Sequence, residues 1–429
     1  MTSALFRNVG TLLSGDLACP VLAADSVYVE DGVIREIGTR LARDAEIELD
    51  VDVRGATLAP GLWDSHVHPY WGEYSPRQEA FGTIKRMVFS GVTSLVSAGP
   101  GHQPGMYLPS EKLPNVQAKS RIAQAGRPER ARDAAGTKAL AITQTCAWRQ
   151  HRPNHVKLYA DVVFAEDGMV EEDFAELAEA GVRRLKFQRP ISRRADAERY
   201  CRWAHDHGFL TMTHTGNRSL IKDVEDTGES FRVIRPDAAL HINGGPTPAP
   251  WSALEWIITD TPATLELAFI GNLAIARRVL ELARQRGELD RVVIGSDLPG
   301  GTGVVPGAIL RTIQLLAHVS SVPVEQLVCM ATGNTARRFG KSGGRVEVDQ
   351  PADLVTWDPV DGSATDEFLD CVAYGDRAYP SLVMVDGQIV AHGNAVLLDP
   401  KRPSIVTRRS PSPSDGVAAG TSRERSPTA

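Results

Sequence analysis

A chain of 429 residues, 42% hydrophobic and 23% charged, with a formal net charge of −6, is long enough for one large domain of about 250–300 residues and a smaller one. The mildly acidic balance argues against nucleic acid as the main partner, and no apolar run approaches the roughly 18 residues that would indicate a membrane span. The start, Met1-Thr2-Ser3-Ala4-Leu5-Phe6-Arg7, lacks the apolar core of a signal peptide, and Cys19, Cys146, Cys201, Cys329 and Cys371, without CxxC pairing, read as free thiols in a reducing cytoplasm.

Residues 1–57 read as short strands. Val27–Glu30 and Val33–Gly38 flank Asp31-Gly32, a strong hairpin signal. The same grammar returns in Ala352–Trp357 and in Leu382–Val390 around Asp386-Gly387. We therefore expect one small β-sandwich built from both termini, 1–57 and 341–400.

Between them, 58–340 alternates strand-like runs with helical patterns. The runs are 57–66, Val92–Ala98, Val156–Phe164, Val182–Gln188, Phe209–His214, Ala238–Ile242, Thr264–Ile270 and Val292–Ser296, with helices expected over Glu171–Ala180, Ala195–His207 and Leu273–Arg286. The connection 99–155 carries a polar insertion at 103–133. This βα alternation predicts an α/β fold, a (β/α)8 TIM barrel, with an open doubly wound sheet as the competing arrangement. No internal repeat is visible. From 401 to 429 the chain is rich in Ser, Pro, Arg and Gly, and a disordered tail is expected.

In a barrel, chemistry gathers at the C-terminal ends of the strands. Run one ends in His66-Val67-His68, whose i, i+2 spacing puts both imidazoles on one side of a strand. Run four carries Lys186, run five ends in His214, run six in His241 and run eight in Ser296-Asp297. A single strand-end histidine is more often structural, but six such residues in register point to a metal site suited to zinc and other first-row divalent ions. Lys186 is a candidate to become a carbamate bridging two ions, with Lys157 on run three as its rival. A metal-bridging hydroxide would then be the nucleophile and Asp297 the group that takes its proton and passes it to the leaving nitrogen. Arg77 and His102, in rim loops, are candidate substrate contacts. His205 and His207 cannot share a helix face and read as structural or exposed, and Gly300-Gly301-Thr302-Gly303, with no following lysine, reads as a rim segment rather than a phosphate loop.

These ligands in this order resemble the amidohydrolase superfamily. More specific runs, His241-Ile242-Asn243-Gly244-Gly245-Pro246-Thr247 and Asp133-Ala134-Ala135-Gly136-Thr137-Lys138 above all, resemble enamidases, the hydrolases of cyclic enamides. The resemblance implies two divalent metal ions (zinc, with iron in one site) held by His66, His68, Lys186, His214, His241 and Asp297. It also implies a small-molecule substrate, a homotetramer, and ring opening of 6-oxo-1,4,5,6-tetrahydronicotinate to 2-formylglutarate and ammonia. Arg183–Pro190 departs from the enamidase pattern, which is why a carboxylated Lys186 is expected, and the 103–133 insertion reshapes the catalytic face. A dihydroorotase- or hydantoinase-type cyclic amide hydrolase is the alternative reading. A non-catalytic scaffold is the third.

Overall fold

Thr57–Pro60 and Leu62–Val67 read as one apolar run in the sequence but belong to different layers, and they part at Gly61. Thr57–Pro60 pairs with Leu354–Pro359, whereas Leu62–Val67 pairs with Val92–Ser97. A Cβ at position 61 would lie 2.2 Å from Thr93 Oγ1, so only glycine lets the chain cross between the layers there. This is a computed structural model, and it describes residues 3–42, 47–69, 84, 86–99, 134–152, 155–245, 247–298, 305, 307–393 and 399–408.

Two sheets form the β-sandwich. One has the order Ile405–Arg408, Leu49–Asp52, Ser3–Arg7, Ser26–Glu30, Val33–Gly38. The other runs Gln388–His392, Ala378–Val385, Leu354–Pro359, Thr57–Pro60, Thr11–Leu13, Val21–Leu22. Phe6, Val29, Val51, Leu58, Leu354 and Met384 fill one shared core. Both Asp-Gly hairpins form. Asp31 and Gly32 have φ of 48° and 78°, and Asp386 and Gly387 have 46° and 76°, the left-handed pair that matches the twist of flanking strands.

The tail expectation needs correction. Ile405–Arg408 is an edge strand paired antiparallel with Leu49–Asp52, so ordered structure continues past 401. Arg402 anchors it: Nε and Nη2 donate to Asp358 Oδ1 at 3.0 and 2.7 Å, and the Asp358 side chain is fully buried. Composition averaged over a polar tail hides a four-residue strand and one partly buried ion pair. Residues 409–429 lie outside the described residues, as does the 103–133 insertion.

The barrel strands are β1 (Leu62–Val67), β2 (Val92–Ser97), β3 (Lys157–Tyr159, resumed at Val162–Phe164), β4 (Arg184–Phe187), β5 (Leu210–His214), β6 (Ala238–Leu240), β7 (Thr264–Ala268) and β8 (Val292–Gly295). Neighbours pair in parallel. The break in β3 falls at Ala160–Asp161. There Arg184, buried under β4, donates to Tyr159 O and Asp161 Oδ1, both at 2.7 Å.

The ring closes between its ends. Asp297 N–H donates to His66 O at 2.9 Å and His68 N–H to Leu298 O at 2.8 Å, which removes the open-sheet alternative. Helices cover the outside. In Leu273–Gln285, Ala276, Val279, Leu280 and Ala283 make the buried stripe, and the Asn272 side chain caps the helix by accepting from Ile275 N–H at 3.1 Å. Among the described residues no helix is long and apolar enough to cross a membrane.

Removing the Arg402 side chain leaves the Asp358 carboxylate buried without its cation. Arg402→Ala should destabilise the fold by about 2–4 kcal/mol, less than a fully buried pair because the arginine is a quarter exposed. A denaturant titration checks this, and an unchanged midpoint would contradict the assigned role.

Candidate metal centre

The two-residue repeat of β1 puts Asp64 and His66 on one side, with His68 following just past the strand. The fully buried Asp64 uses Oδ1 to accept from Ser296 N–H at 2.8 Å and from His66 N–H at 3.0 Å, stitching β1 to the end of β8. Burial pushes its carboxyl up to about 7. The stitch delivers Asp297 to the histidines: its Oδ1 lies 3.0 Å from His68 Nε2 and 3.3 Å from His66 Nε2, while the two Nε2 atoms are 3.2 Å apart.

Each histidine is oriented from behind. His68 Nδ1–H donates to the Gly99 carbonyl at 2.6 Å, which leaves Nε2 as a lone pair facing Asp297. His66 Nδ1 meets Glu266 Oε1 at 2.6 Å. Glu266, on β7 and fully buried, also accepts from His241 N–H at 2.9 Å and from Ser65 Oγ–H at 2.9 Å. Burial pushes the Glu266 carboxyl upward, and those two donors oppose the push.

The other half of the donor set stands beside this one. Lys186, buried on β4, places Nζ 3.5 Å from His66 Nε2. The His241 ring lies 5.4 Å from that of His66 and 4.4 Å from that of His214, measured between centroids. The six candidate ligands thus meet at the C-terminal mouth of the barrel. Arg77 and His102 lie outside the described residues, as does 300–303. Lys157, the rival bridge, is elsewhere: it starts β3 and binds Asp353 and Asp386, each at 2.7 Å, against the sandwich. His205 is half-exposed and paired with Asp237 at 3.0 Å.

Three buried acids, two of them in contact with residues of this centre, escaped the sequence reading. Glu266 was hidden in the apolar run Leu265-Glu266-Leu267, where a lone charge on a barrel strand was the available signal. Asp64 sat two residues before His66 on the same side of the strand. Glu166, two residues beyond β3, is buried next to β4, with Ala165 N–H donating to Lys186 O at 2.9 Å.

The donor set fits a metal. Burial drives the imidazoles of His66 and His214 well below their ordinary value and that of His241 down to about 3, so all three are neutral with free lone pairs. His241 Nδ1 is buried and has no partner among the described residues. His66, His68 and Asp297 together form a cluster whose ligand atoms lie within 4.8 Å of one another. Neutral nitrogens and a carboxylate crowded in this way need a cation between them, and first-row divalent ions suit the set.

The backbone is bent to build the centre. Asp297 and His241 take φ of 59° and 38°, left-handed values that cost about 1–3 kcal/mol each and that cluster where function requires them. The Asn243 side chain pins the loop after β6, exchanging two 2.9 Å hydrogen bonds with the backbone of Ala268.

Glu266→Ala should weaken divalent-ion binding by about 10–100-fold, because it frees the His66 ring and loosens the His241 backbone together. Glu266→Gln, which can still accept through its carbonyl oxygen, should lose less. Competition with a chelating dye measures both, and wild-type affinity in Glu266→Ala would refute the role.

Comparison with known proteins agrees with this geometry. Residues 268–390 match the model of the Amidohydrolase family. Enamidase from Eubacterium barkeri is 37% identical over 393 residues, covering 91% of this chain and 96% of its own. The crystal structure of enamidase, a member of the amidohydrolase superfamily, superposes with a TM-score of 0.83 at 35% identity, over 95% of this chain and 100% of that one. D-Hydantoinase (dihydropyrimidinase) from Thermus sp. shares the fold, with a TM-score of 0.60 at 14% identity over 93% and 97%. With this likeness running nearly the length of both chains and the donor set gathered at the barrel mouth, the chain belongs to the amidohydrolase family.

Proposed function

We propose that the chain is an enamidase-type hydrolase that opens the C–N bond of a cyclic enamide, converting 6-oxo-1,4,5,6-tetrahydronicotinate and two waters into 2-formylglutarate and ammonium. The observation that carries the reading is 37% identity to enamidase over 91% of the chain, with His66, His68, Lys186, His241 and Asp297 buried at one mouth and His214 beside His241. The first water breaks the ring amide and leaves a carboxylate and an enamine. The second replaces the enamine nitrogen and leaves the aldehyde.

Two divalent ions, zinc with iron in one position, would supply water activation and carbonyl polarisation. His66 and His68 would hold one ion and His214 and His241 the other, with Asp297 beside the first pair. Lys186, buried with Nζ 3.5 Å from His66 Nε2, would carry a bridging carbamate. Asp297 places a carboxylate oxygen 3.0 and 3.3 Å from the Nε2 atoms of His68 and His66. It accepts the proton of the attacking water and returns it to the ring nitrogen as that nitrogen leaves. Arg77 would grip the substrate carboxylate, and His102 would be a second substrate contact. A homotetramer in the cytoplasm completes the reading, in keeping with five unpaired cysteines.

A panel of ring substrates tests this. The tetrahydro-oxonicotinate should be opened at least 100-fold more efficiently than hydantoin, dihydroorotate or cyclic imides. Hydantoin or imide turnover without enamide turnover would overturn the substrate assignment, and loss of nothing on chelation would overturn the enzyme. Asp297→Asn should lower kcat by about 10²–10⁴-fold with an unchanged circular dichroism spectrum. Lys186→Ala should lose metal and activity together, with partial rescue by short carboxylic acids. Full metal content in that variant would move the bridge away from Lys186, and Glu166→Gln would be the next variant to assay.

A further inference from the structure

At the N-terminal end of the barrel, opposite the metal centre, a cavity of about 240 Å³ opens between the end of helix Ala134–Gln150, β3 and Lys341. Its size falls below the roughly 300–1,000 Å³ of drug-sized sites and suits a small metabolite. Its lining is rich in cations: Arg149, Arg152, Lys157 and Lys341, against a single lining acid, Asp161.

The bookkeeping of ion pairs leaves charge over. Lys157 and Arg152 are matched by Asp353 and Asp386, at 2.7–3.0 Å. Asp161 serves two cations, Arg184 at 2.7 Å and Lys341 at 3.2 Å. Arg149 has a backbone partner, Ala180 O at 3.4 Å, and no acid within salt-bridge distance among the described residues. Arg149, beside the Gly181 turn, is thus left without an acid, and Lys341, which shares Asp161 with Arg184, has its Nζ 4.9 Å from the centre of the Tyr159 ring. Burial pulls the Lys341 amine downward, a cost that a neighbouring anion would relieve.

We propose that this cavity is a binding site for a small dicarboxylate, one carboxylate paired with Arg149 and the other with Lys341. Two separated cations favour two carboxylates on a short carbon chain over a single compact anion such as phosphate. If the proposed reaction is right, its ring-opened product is a dicarboxylate of this size, and the cavity would sense product away from the catalytic mouth. That last link rests on the proposed function; the binding site does not.

Isothermal titration of the metal-loaded enzyme with glutarate, butyrate and inorganic phosphate separates the cases. Glutarate should bind at least tenfold tighter than either of the others. Arg149→Gln, at an exposed position, should weaken glutarate at least tenfold and leave substrate turnover unchanged; Lys341→Gln should weaken it too. No binding, equal binding of phosphate, or unchanged binding in Arg149→Gln, which would place glutarate at the metals, each overturns the proposal. Because the readout is heat of binding, glutarate binding persists even where the substrate panel rejects the enamide reaction.

Discussion

The structure turns on the seam where the first barrel strand meets the last. Asp297 N–H reaches His66 O, His68 N–H reaches Leu298 O, and the buried Asp64 carboxylate holds Ser296 and His66 from below. These backbone bonds close the ring, and they also fix the donor geometry. The left-handed turn at Asp297 brings its carboxylate within 3.0–3.3 Å of two imidazole nitrogens more than 200 residues away in sequence. The same hydrogen bonds serve ring closure and ligand placement. A slip of one residue at this seam would turn the ligands away from the mouth.

Glu266 extends that logic around the ring. Through one buried carboxyl it touches the His66 ring, the Ser65 hydroxyl and the His241 backbone. It therefore links the two halves of the donor set. A first-strand histidine and a sixth-strand loop are held in register by a seventh-strand acid. Such supporting contacts decide whether imidazoles converge within a few tenths of an ångström or merely lie nearby.

Much of this was legible in the sequence. Strand periodicity pointed to the barrel, and strand-end residue types picked out the six candidate ligands, because each rests on a local pattern. What was missed rests on long-range geometry. Glu266 and Asp64 looked like charges in apolar runs, and their partners lie up to 232 positions away. The split at Gly61 depends on how closely Thr93 approaches. Lys157 and Lys186 are both strand lysines, and only the packing of Asp353 and Asp386 shows that the first faces the sandwich. The strand Ile405–Arg408 was lost in the composition of the residues that follow it.

The central claim is that His66, His68, Lys186, His214, His241 and Asp297 hold two metal ions. Anomalous diffraction from crystals of the enzyme as purified, recorded at the zinc and iron edges, tests it most directly. The account predicts two peaks at the barrel mouth, one in contact with His66 and His68 and the other with His214 and His241. A mouth without anomalous density in fully active crystals, or peaks bound by other residues, would contradict it.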